Sequence, residues 1–238
     1  MSHYKIHLIG CGMGDIDTLT VAAYKVIEKA DVVLGPDRLT KIYQGRLDTQ
    51  NIYLPEDVLP YFEALDKTLQ TLSEKMAGLP GFEGSDRDFS VAILFSGDTG
   101  FFSGAKKLRD ALNDAIKEGI LDAELNVIPG ISSVSYLASR LGIQWNDAGI
   151  LSVHGRGSVA DNKEEILDSL SKNDKTILLV SGAKDINELP LIFENENVNP
   201  KITLAFNMGS ESEYIRTLTL EMCKEVSESG LYLVLLEK

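Results

Sequence analysis

The chain has 238 residues, of which 44% are hydrophobic, and it carries a formal net charge of −13. This length suffices for one large domain or two compact ones, while the negative charge argues against nucleic acid and anionic membranes as partners. With only two cysteines and three histidines, we expect neither a disulfide framework nor a zinc or iron site. The sequence shows no signal peptide and no long apolar span, so we expect a soluble, cytoplasmic protein.

Apolar runs and helical periodicities alternate through the first half of the chain. Strands are predicted over residues 4–10, 31–35, 51–54, 91–95 and 125–128. Helices are predicted over residues 19–30, 58–77 and 104–118, and a surface loop rich in Pro and Gly over residues 79–88. This alternation of strand and helix predicts an α/β fold with a mostly parallel sheet.

The pattern changes after residue 148. Strands are predicted over residues 149–153, 176–180, 201–206, 214–218 and 231–236, and helices over 163–171, 183–193 and 221–226. Because the last strands follow one another with little helix between them, we expect a mixed sheet with antiparallel pairs. We therefore predict two α/β domains, residues 1–120 with the glycine loops and residues 121–238 with the mixed sheet, separated near residues 119–124.

Three turns rich in small residues follow predicted strands. They are the first glycine loop (residues 10–14, GCGMG), the aspartate loop (residues 96–102, SGDTGFF) and the proline–glycine loop (residues 129–133, PGISS). The carboxyl ends of strands are where open α/β sheets hold ligands, and glycine lets a backbone approach a ligand closely. The loops therefore predict a ligand site at one edge of the sheet.

The first glycine loop departs from the fingerprint of dinucleotide-binding sites. That fingerprint needs a third glycine at position 15, which is Asp15, and an acidic residue after the second strand, which ends in Leu34 and Gly35. We favour a turn beside a ligand that lacks phosphate, and the alternative is a tight turn with no ligand. In the aspartate loop, Asp98 either accepts hydrogen bonds from a ligand or binds local backbone amides, and Phe101 would form an apolar wall.

Two turns in the second half also carry polar side chains at strand ends. His154 and Arg156 follow the strand at 149–153, where a titratable ring and a guanidinium suit the binding of carboxylates. The alternatives are a structural histidine and a surface ion pair of Arg156 with an acid such as Asp161. The segment Asn207-Met208-Gly209 follows the strand at 201–206 and has a hairpin turn as its alternative reading.

The chain resembles the tetrapyrrole (corrin/porphyrin) methylases, which use S-adenosylmethionine. The resemblance lies in residues 9–14 (IGCGMG), 19–20 (LT), 30–33 (ADVV), the aspartate loop and the proline–glycine loop. Met13 and Thr99 stand where that family usually has proline. Residues 141–148 (LGIQWNDA), 151–156 (LSVHGR) and 207–209 with Glu213 are similar to those members of the family that methylate carbon 5 of a precorrin ring.

The resemblance implies two α/β domains with a ligand cleft between them, a homodimer, and S-adenosylmethionine as methyl donor. The implied activity is C-methylation of a precorrin, at carbon 5 of cobalt-precorrin-7, in cobalamin biosynthesis. The implied donor-binding residues are Gly10, Gly12, Met13, Ser96, Gly97, Asp98, Phe101, Ser132, Ser133, Ser181, Asn207 and Met208. Asp98 and His154 are the candidates for proton transfer, and Arg156 and Arg38 for binding the carboxylates of the acceptor.

Other functions stay open on the sequence. Within the family, the acceptor could be a different tetrapyrrole, a ribosomal RNA or a modified protein histidine, although the charge of −13 disfavours RNA. Outside it, the alternatives are a nicotinamide-dependent oxidoreductase and a tetrapyrrole carrier without activity. Some relatives carry a fused methylase that acts at carbon 15 and decarboxylates an acetate side chain, so we expect a separate protein to supply that step here.

Overall fold

The computed structural model describes residues 4–43, 52–55, 88–154, 156–196 and 198–238. It divides into two compact units, Met1–Ser132 and Ser133–Lys238, and each holds one five-stranded sheet, which confirms the α/β class. The helix predicted over 58–77 and nearly all of the loop predicted over 79–88 lie outside the described residues. Every helix in the described part of the chain is too short or too polar to cross a lipid bilayer.

The first unit is built on a wholly parallel sheet. Its strands are β1 (Tyr4–Gly10), β2 (Val32–Gly35), β3 (Ile52–Pro55), β4 (Phe89–Phe95) and β5 (Ala123–Ile128), in the order β3-β2-β4-β1-β5. All four neighbouring pairs are parallel, as the alternation of elements predicts. Since β1 lies between β4 and β5, the turns that follow these three strands come to the same edge.

Helices α1 (Val21–Lys29), α2 (Asp37–Tyr43) and α3 (Ala105–Lys117) belong to the first unit. Consecutive residues of β1 point into two different cores: Leu8 packs in the core that includes Leu112 of α3, and Ile9 packs in the core that includes Ile27 of α1. Such burial on both faces explains why β4, the strand beside β1, is almost continuously apolar (FSVAILF).

The sequence analysis did not predict α2. Pro36 marks the end of β2, and its carbonyl accepts the N–H groups of Leu39 and Thr40 at 2.8 and 3.1 Å, which begins the helix. A helix of seven residues is too short to show a clear apolar period. Pro36 was the remaining sequence signal for the start of this helix.

The second unit is built on a mixed sheet. Its strands are β6 (Gly149–Ser152), β7 (Lys175–Val180), β8 (Lys201–Phe206), β9 (Tyr214–Leu218) and β10 (Tyr232–Glu237), in the order β6-β7-β10-β8-β9. Only β6 and β7 pair in parallel, and the other pairs are antiparallel, which confirms the mixed sheet. Its helices are α4 (Ser133–Leu141), α5 (Lys163–Lys172), α6 (Ala183–Phe193) and α7 (Leu220–Cys223).

The division between the units falls later in the chain than the boundary expected near residues 119–124. Strand β5 pairs with β1 from Tyr4 opposite Ala123 to Ile9 opposite Ile128, so it belongs to the first sheet. Gly119, with φ of +70°, follows α3 at the point where the helix predicted over residues 104–118 ends. That glycine therefore marks the end of a helix and not the end of a domain.

Candidate functional site

The first glycine loop and the aspartate loop are joined through their backbones. The Gly12 N–H donates to the Gly97 carbonyl at 3.1 Å, and the Gly97 N–H donates back to the Gly12 carbonyl at 2.7 Å. This reciprocal pair extends the contact between β1 and β4 beyond the sheet. The two loops are therefore fixed relative to each other.

The proline–glycine loop reaches the other two loops at positions where no side chain fits. A Cβ built on Gly10 would lie 2.5 Å from the Gly130 nitrogen and 2.8 Å from the Gly97 oxygen. A Cβ on Gly130 would lie 2.6 Å from the Gly10 carbonyl carbon and would also overlap the Gly97 oxygen. Since these neighbours are backbone atoms, glycine is required at both positions.

Asp98 ties the aspartate loop to the proline–glycine loop. Its Oδ1 accepts the Gly100 N–H at 2.9 Å, and its Oδ2 accepts the Gly130 N–H at 3.0 Å. The hydrogen bond to Gly100 is local, as expected if Asp98 binds local backbone amides. The hydrogen bond to Gly130 joins two loops. Both oxygens of the carboxylate thus hold backbone, and the role of Asp98 in proton transfer stays a prediction.

Gly97 differs from Gly10 and Gly130 because it faces open space. Its φ is +70°, and a Cβ built on it would meet no atom within 4 Å. The three loops also contain no Lys or Arg. An edge of backbone dipoles without cations fits a phosphate-free ligand with a positive charge, such as a sulfonium, better than a dinucleotide, because basic side chains usually help to hold phosphates.

Asp15, which breaks the dinucleotide fingerprint, has a structural role. Its side chain accepts the Asp17 N–H at 3.3 Å and caps the short 3₁₀ turn Ile16–Thr18. The Asp15 carbonyl accepts the Thr18 hydroxyl at 3.0 Å, and that hydroxyl oxygen accepts the Met13 N–H at 3.2 Å. The predicted donor residue Met13 is thereby held by a local turn.

The other predicted donor residues of the first unit lie on the aspartate and proline–glycine loops. Ser96 is exposed at the end of β4, and Ser132 is half-buried. The Phe101 ring is half-buried and meets Phe102 edge to face, with 4.9 Å between ring centroids. Ser133 begins α4 and is counted with the second unit.

In the second unit, the turns after β6 and β7 are linked by side chains. A hydrogen bond of 3.2 Å joins Nδ1 of the exposed His154 to the Ser181 hydroxyl. The Ser181 N–H donates to Oδ2 of the buried Asp185, in the first turn of α6, at 2.6 Å. Two predicted site residues are thus brought together, and Asp185, which the sequence analysis missed, holds one of them.

Asn207 builds the turn after β8. It adopts a left-handed conformation, with φ of 42°, and its Oδ1 accepts the Leu231 N–H at 2.8 Å. Its Nδ2 donates to the Ser212 hydroxyl at 3.1 Å. These bonds agree with the hairpin-turn reading and fix the backbone that carries the neighbouring Met208.

Glu213 anchors the same turn to α4. The carboxylate accepts the Gly209 N–H at 2.6 Å and the Tyr136 hydroxyl at 2.7 Å, and it pairs with Arg140 Nε at 2.9 Å. Burial alone would raise the pKa of this carboxyl, whose side chain is 12% exposed. The hydrogen bonds and the positive charge of Arg140 outweigh burial, so the pKa of Glu213 lies below its ordinary value.

The two predicted acceptor-binding arginines lie in different settings. Arg156 forms a two-point pair with Glu165, with Nη2 to Oε2 at 2.6 Å and Nη1 to Oε1 at 3.4 Å. Asp161, the surface partner considered from the sequence, instead accepts the Ser158 N–H at 2.9 Å. Arg38 is exposed on α2. A ligand carboxylate at Arg156 would therefore compete with Glu165.

Comparison with known proteins identifies the family to which this chain belongs. The family model of the tetrapyrrole (corrin/porphyrin) methylases matches residues 5–223. The chain belongs to this family and is a methyltransferase. The oxidoreductase alternative is set aside by this match.

Three known proteins are informative. A probable cobalt-precorrin-7 C(5)-methyltransferase of Methanocaldococcus jannaschii is 28% identical over 93% of this chain and 91% of its own length. A cobalt-precorrin-4 C(11)-methyltransferase of the same organism is 22% identical over 95% of this chain and 83% of its own. The structure of uroporphyrin-III C-methyl transferase from Thermus thermophilus, complexed with S-adenosylhomocysteine, shares the fold with a TM-score of 0.63 at 18% identity, covering 98% of this chain and 97% of that one.

We predict that Asp98→Asn lowers the free energy of unfolding by about 1–2 kcal/mol, because an amide nitrogen then faces a backbone N–H that the carboxylate had accepted. The measurement is unfolding in urea, followed by fluorescence and circular dichroism. Asp114→Asn is the matched control, because Asp114 is 69% exposed in its pair with Lys117 and should change stability by less than about 0.5 kcal/mol. Equal stability of the two variants would contradict the role of Asp98 as a tie between loops.

Proposed function

We propose that the chain transfers a methyl group from S-adenosylmethionine to carbon 5 of a precorrin, with cobalt-precorrin-7 as the acceptor, in cobalamin biosynthesis. The observation that carries this proposal is the similarity to the Methanocaldococcus protein of that name along 93% of the chain. Methylation of another tetrapyrrole is the second candidate, since the relative named for cobalt-precorrin-4 also matches along nearly the whole chain, at a lower identity of 22%.

The first glycine loop, the aspartate loop and the proline–glycine loop support the donor assignment. Bound S-adenosylmethionine would supply an electrophilic methyl group on a positively charged sulfur. Backbone carbonyls of the loops would face that charge without a competing Lys or Arg, and the open side of Gly97 would leave room for it. The donor residues proposed here are Gly10, Gly12, Met13, Ser96, Gly97, Phe101, Ser132 and Ser133. For Ser181, Asn207 and Met208 the assignment rests on the family resemblance alone.

Catalysis on this proposal depends on positioning more than on acid–base chemistry. Asp98 fixes the loop backbones through its bonds to Gly100 and Gly130, so we assign it a positioning role beside its predicted contact with the donor. The exposed ring of His154, oriented by Ser181, is the remaining candidate to accept a proton from the methylated ring.

We also propose a homodimer and a separate protein for the carbon-15 methylation and decarboxylation, on the family resemblance, and a cytoplasmic location, on the sequence pattern. Sedimentation at micromolar concentration tests the dimer, and a single species of 26.1 kDa would contradict it.

The acceptor is tested by incubating the purified protein with methyl-labelled S-adenosylmethionine and cobalt-precorrin-7. We expect one methyl group to be added, and NMR of the product to place it on carbon 5. A methyl group on another carbon, or transfer only to an earlier intermediate such as cobalt-precorrin-4, would favour the second candidate. The absence of transfer to any tetrapyrrole would contradict both.

Gly97→Val tests the donor loop. The valine would fill the open side of Gly97, so we expect the affinity for S-adenosylhomocysteine in calorimetry to fall at least about tenfold. Gly119→Val is the matched control, because Gly119 also has a φ of +70° and no atom within 4 Å of a built Cβ. Both variants carry the same backbone strain of about 1–2 kcal/mol, so a loss of affinity in both would point to the strain and not to the site.

Arg156 is tested together with its partner. If its guanidinium binds a carboxylate of the acceptor, Arg156→Ala should raise the apparent KM for the acceptor about 10- to 100-fold, with donor affinity unchanged. Glu165→Gln should lower that KM, because it releases the two-point pair. An unchanged KM in both variants would show that Arg156 does not bind the acceptor and only forms a surface ion pair with Glu165. An exposed pair of this kind contributes about 0–1 kcal/mol to stability.

A further inference from the structure

Glu213 joins two elements of the second unit through one carboxylate. Its Oε2 accepts the Gly209 N–H at 2.6 Å and the Tyr136 hydroxyl at 2.7 Å, and its Oε1 pairs with Arg140 Nε at 2.9 Å. Tyr136 and Arg140 lie four positions apart on α4, so they share one face of that helix. The carboxylate therefore ties α4 to the turn after β8, and the proposed function gives this tie no task.

Both tied segments carry residues that are proposed to bind the methyl donor. Ser133 is the first residue of α4 and lies about one helical turn before Tyr136. Met208 directly precedes Gly209 in the turn after β8. Ser133 and Met208 are half-buried, so part of each residue remains open to a ligand. Glu213 therefore helps to set where these two residues stand relative to each other within the second unit.

The backbone around Met208 depends on its anchors. The residues on either side, Asn207 and Gly209, have positive φ values of 42° and 78°, a conformation that few residues adopt. The Asn207 side chain holds one side by accepting the Leu231 N–H. Glu213 holds the other side through the Gly209 N–H. Because an unanchored glycine has many other conformations available, loss of the Glu213 anchor would leave Met208 without a fixed direction.

A carboxylate is a costly way to join a helix to a turn. The Glu213 side chain is 12% exposed, and burial of a charge is unfavourable unless hydrogen bonds and an opposite charge compensate for it. Both are present, and they hold the pKa of Glu213 below its ordinary value, so the side chain is ionised at neutral pH. Apolar packing would join the two elements at lower cost, but it would not direct a backbone N–H. The buried charge therefore indicates a need for a defined turn geometry.

We propose that Glu213 is a positioning residue for the methyl donor, because its Oε2 holds the turn that presents Met208 to S-adenosylmethionine in a fixed place relative to Ser133. This inference rests on the proposed function, from which it takes the two donor residues. Glu213 acts through the Gly209 backbone and through α4. The pair with Arg140 is less important for the tie, since the Arg140 side chain is 56% exposed and can turn to water.

Glu213→Ala and Glu213→Gln test the role of Oε2 in the full-length protein, with S-adenosylhomocysteine as the probe in calorimetry. Glu213→Ala removes the tie and should raise the Kd at least about tenfold. In Glu213→Gln the amide oxygen can accept from both Gly209 and Tyr136, so the Kd should stay within about threefold of the wild-type value. A Gln variant as weak as the Ala variant would overturn the assignment to these hydrogen bonds.

Glu188→Ala is the matched control for stability. Glu188 is also a partly buried carboxylate, with its side chain 18% exposed, and it ties α6 to another turn by accepting the Ala160 N–H at 3.3 Å, beside a pair with Lys184 at 4.0 Å. Unfolding in urea measures the stability of both Ala variants. Glu188→Ala should change the Kd for S-adenosylhomocysteine less than about twofold. An equal rise in Kd in the two variants would assign the effect to lost stability and overturn the proposal.

NMR of isotope-labelled methionine methyl groups reports on Met208 directly. The chain has five methionines, and Met208→Leu assigns the signal of Met208. That signal should move when S-adenosylhomocysteine is added to the wild type. In the free Glu213→Ala variant it should already be shifted or broadened, whereas the signal of Met222 on α7, which is 42% exposed, should stay in place. A Met208 signal that responds neither to the ligand nor to Glu213→Ala would contradict the proposal.

Failure of this inference is distinguishable from failure of the proposed function. If the wild type and Glu213→Ala bind S-adenosylhomocysteine equally well, the positioning role is wrong and the proposed function is untouched. If donor affinity depends on Glu213 as expected but no tetrapyrrole is methylated, the positioning role stands and the proposed function fails. No binding of S-adenosylhomocysteine by the wild type would contradict both.

Discussion

The first unit depends on one steric constraint, the direct contact of three backbones at Gly10, Gly97 and Gly130. The parallel pairing of β1 with β4 and β5 brings these turns to one edge, and at Gly10 and Gly130 only a residue without a Cβ lets them touch. Once they touch, backbone hydrogen bonds between Gly12 and Gly97 and the carboxylate of Asp98 hold the contact. A ligand at this edge would meet a surface made of main chain, whose shape varies little with rotamer choice.

Much of this arrangement could be predicted from the sequence, because it follows from short-range patterns. The apolar runs gave the strands to within about two residues at each end, and small residues at strand ends marked the loops. The parallel pairing of the first sheet could be predicted from the alternation of strand and helix. The hydrogen-bond and ion-pair partners of the polar side chains could not be predicted from the sequence. Asp98 reaches Gly130 across 32 positions, and Arg156 chooses Glu165 and not Asp161.

The misplaced domain boundary has a related cause. Gly119 is a strong signal for the end of a helix, but a helix end says nothing about which sheet the next strand joins. The pairing of β5 with β1 is a contact between residues more than a hundred positions apart, so it leaves no mark in local composition. The same holds for Glu213, which sequence alone placed beside a hairpin and which the fold connects to Tyr136 and Arg140 of a distant helix.

The place of β10 in the second sheet has a consequence for how the chain is made. Residues Tyr232–Glu237 form the middle strand, between β7 and β8, although they are synthesised after both. Until they leave the ribosome, the strands that contain Leu178 and Leu204, both fully buried in the finished sheet, each present an unpaired apolar edge. Open edges of this kind are where nascent chains associate wrongly. The first sheet passes through the same stage earlier in synthesis, because its middle strand, β4, also follows both of its neighbours, β1 and β2, in the chain.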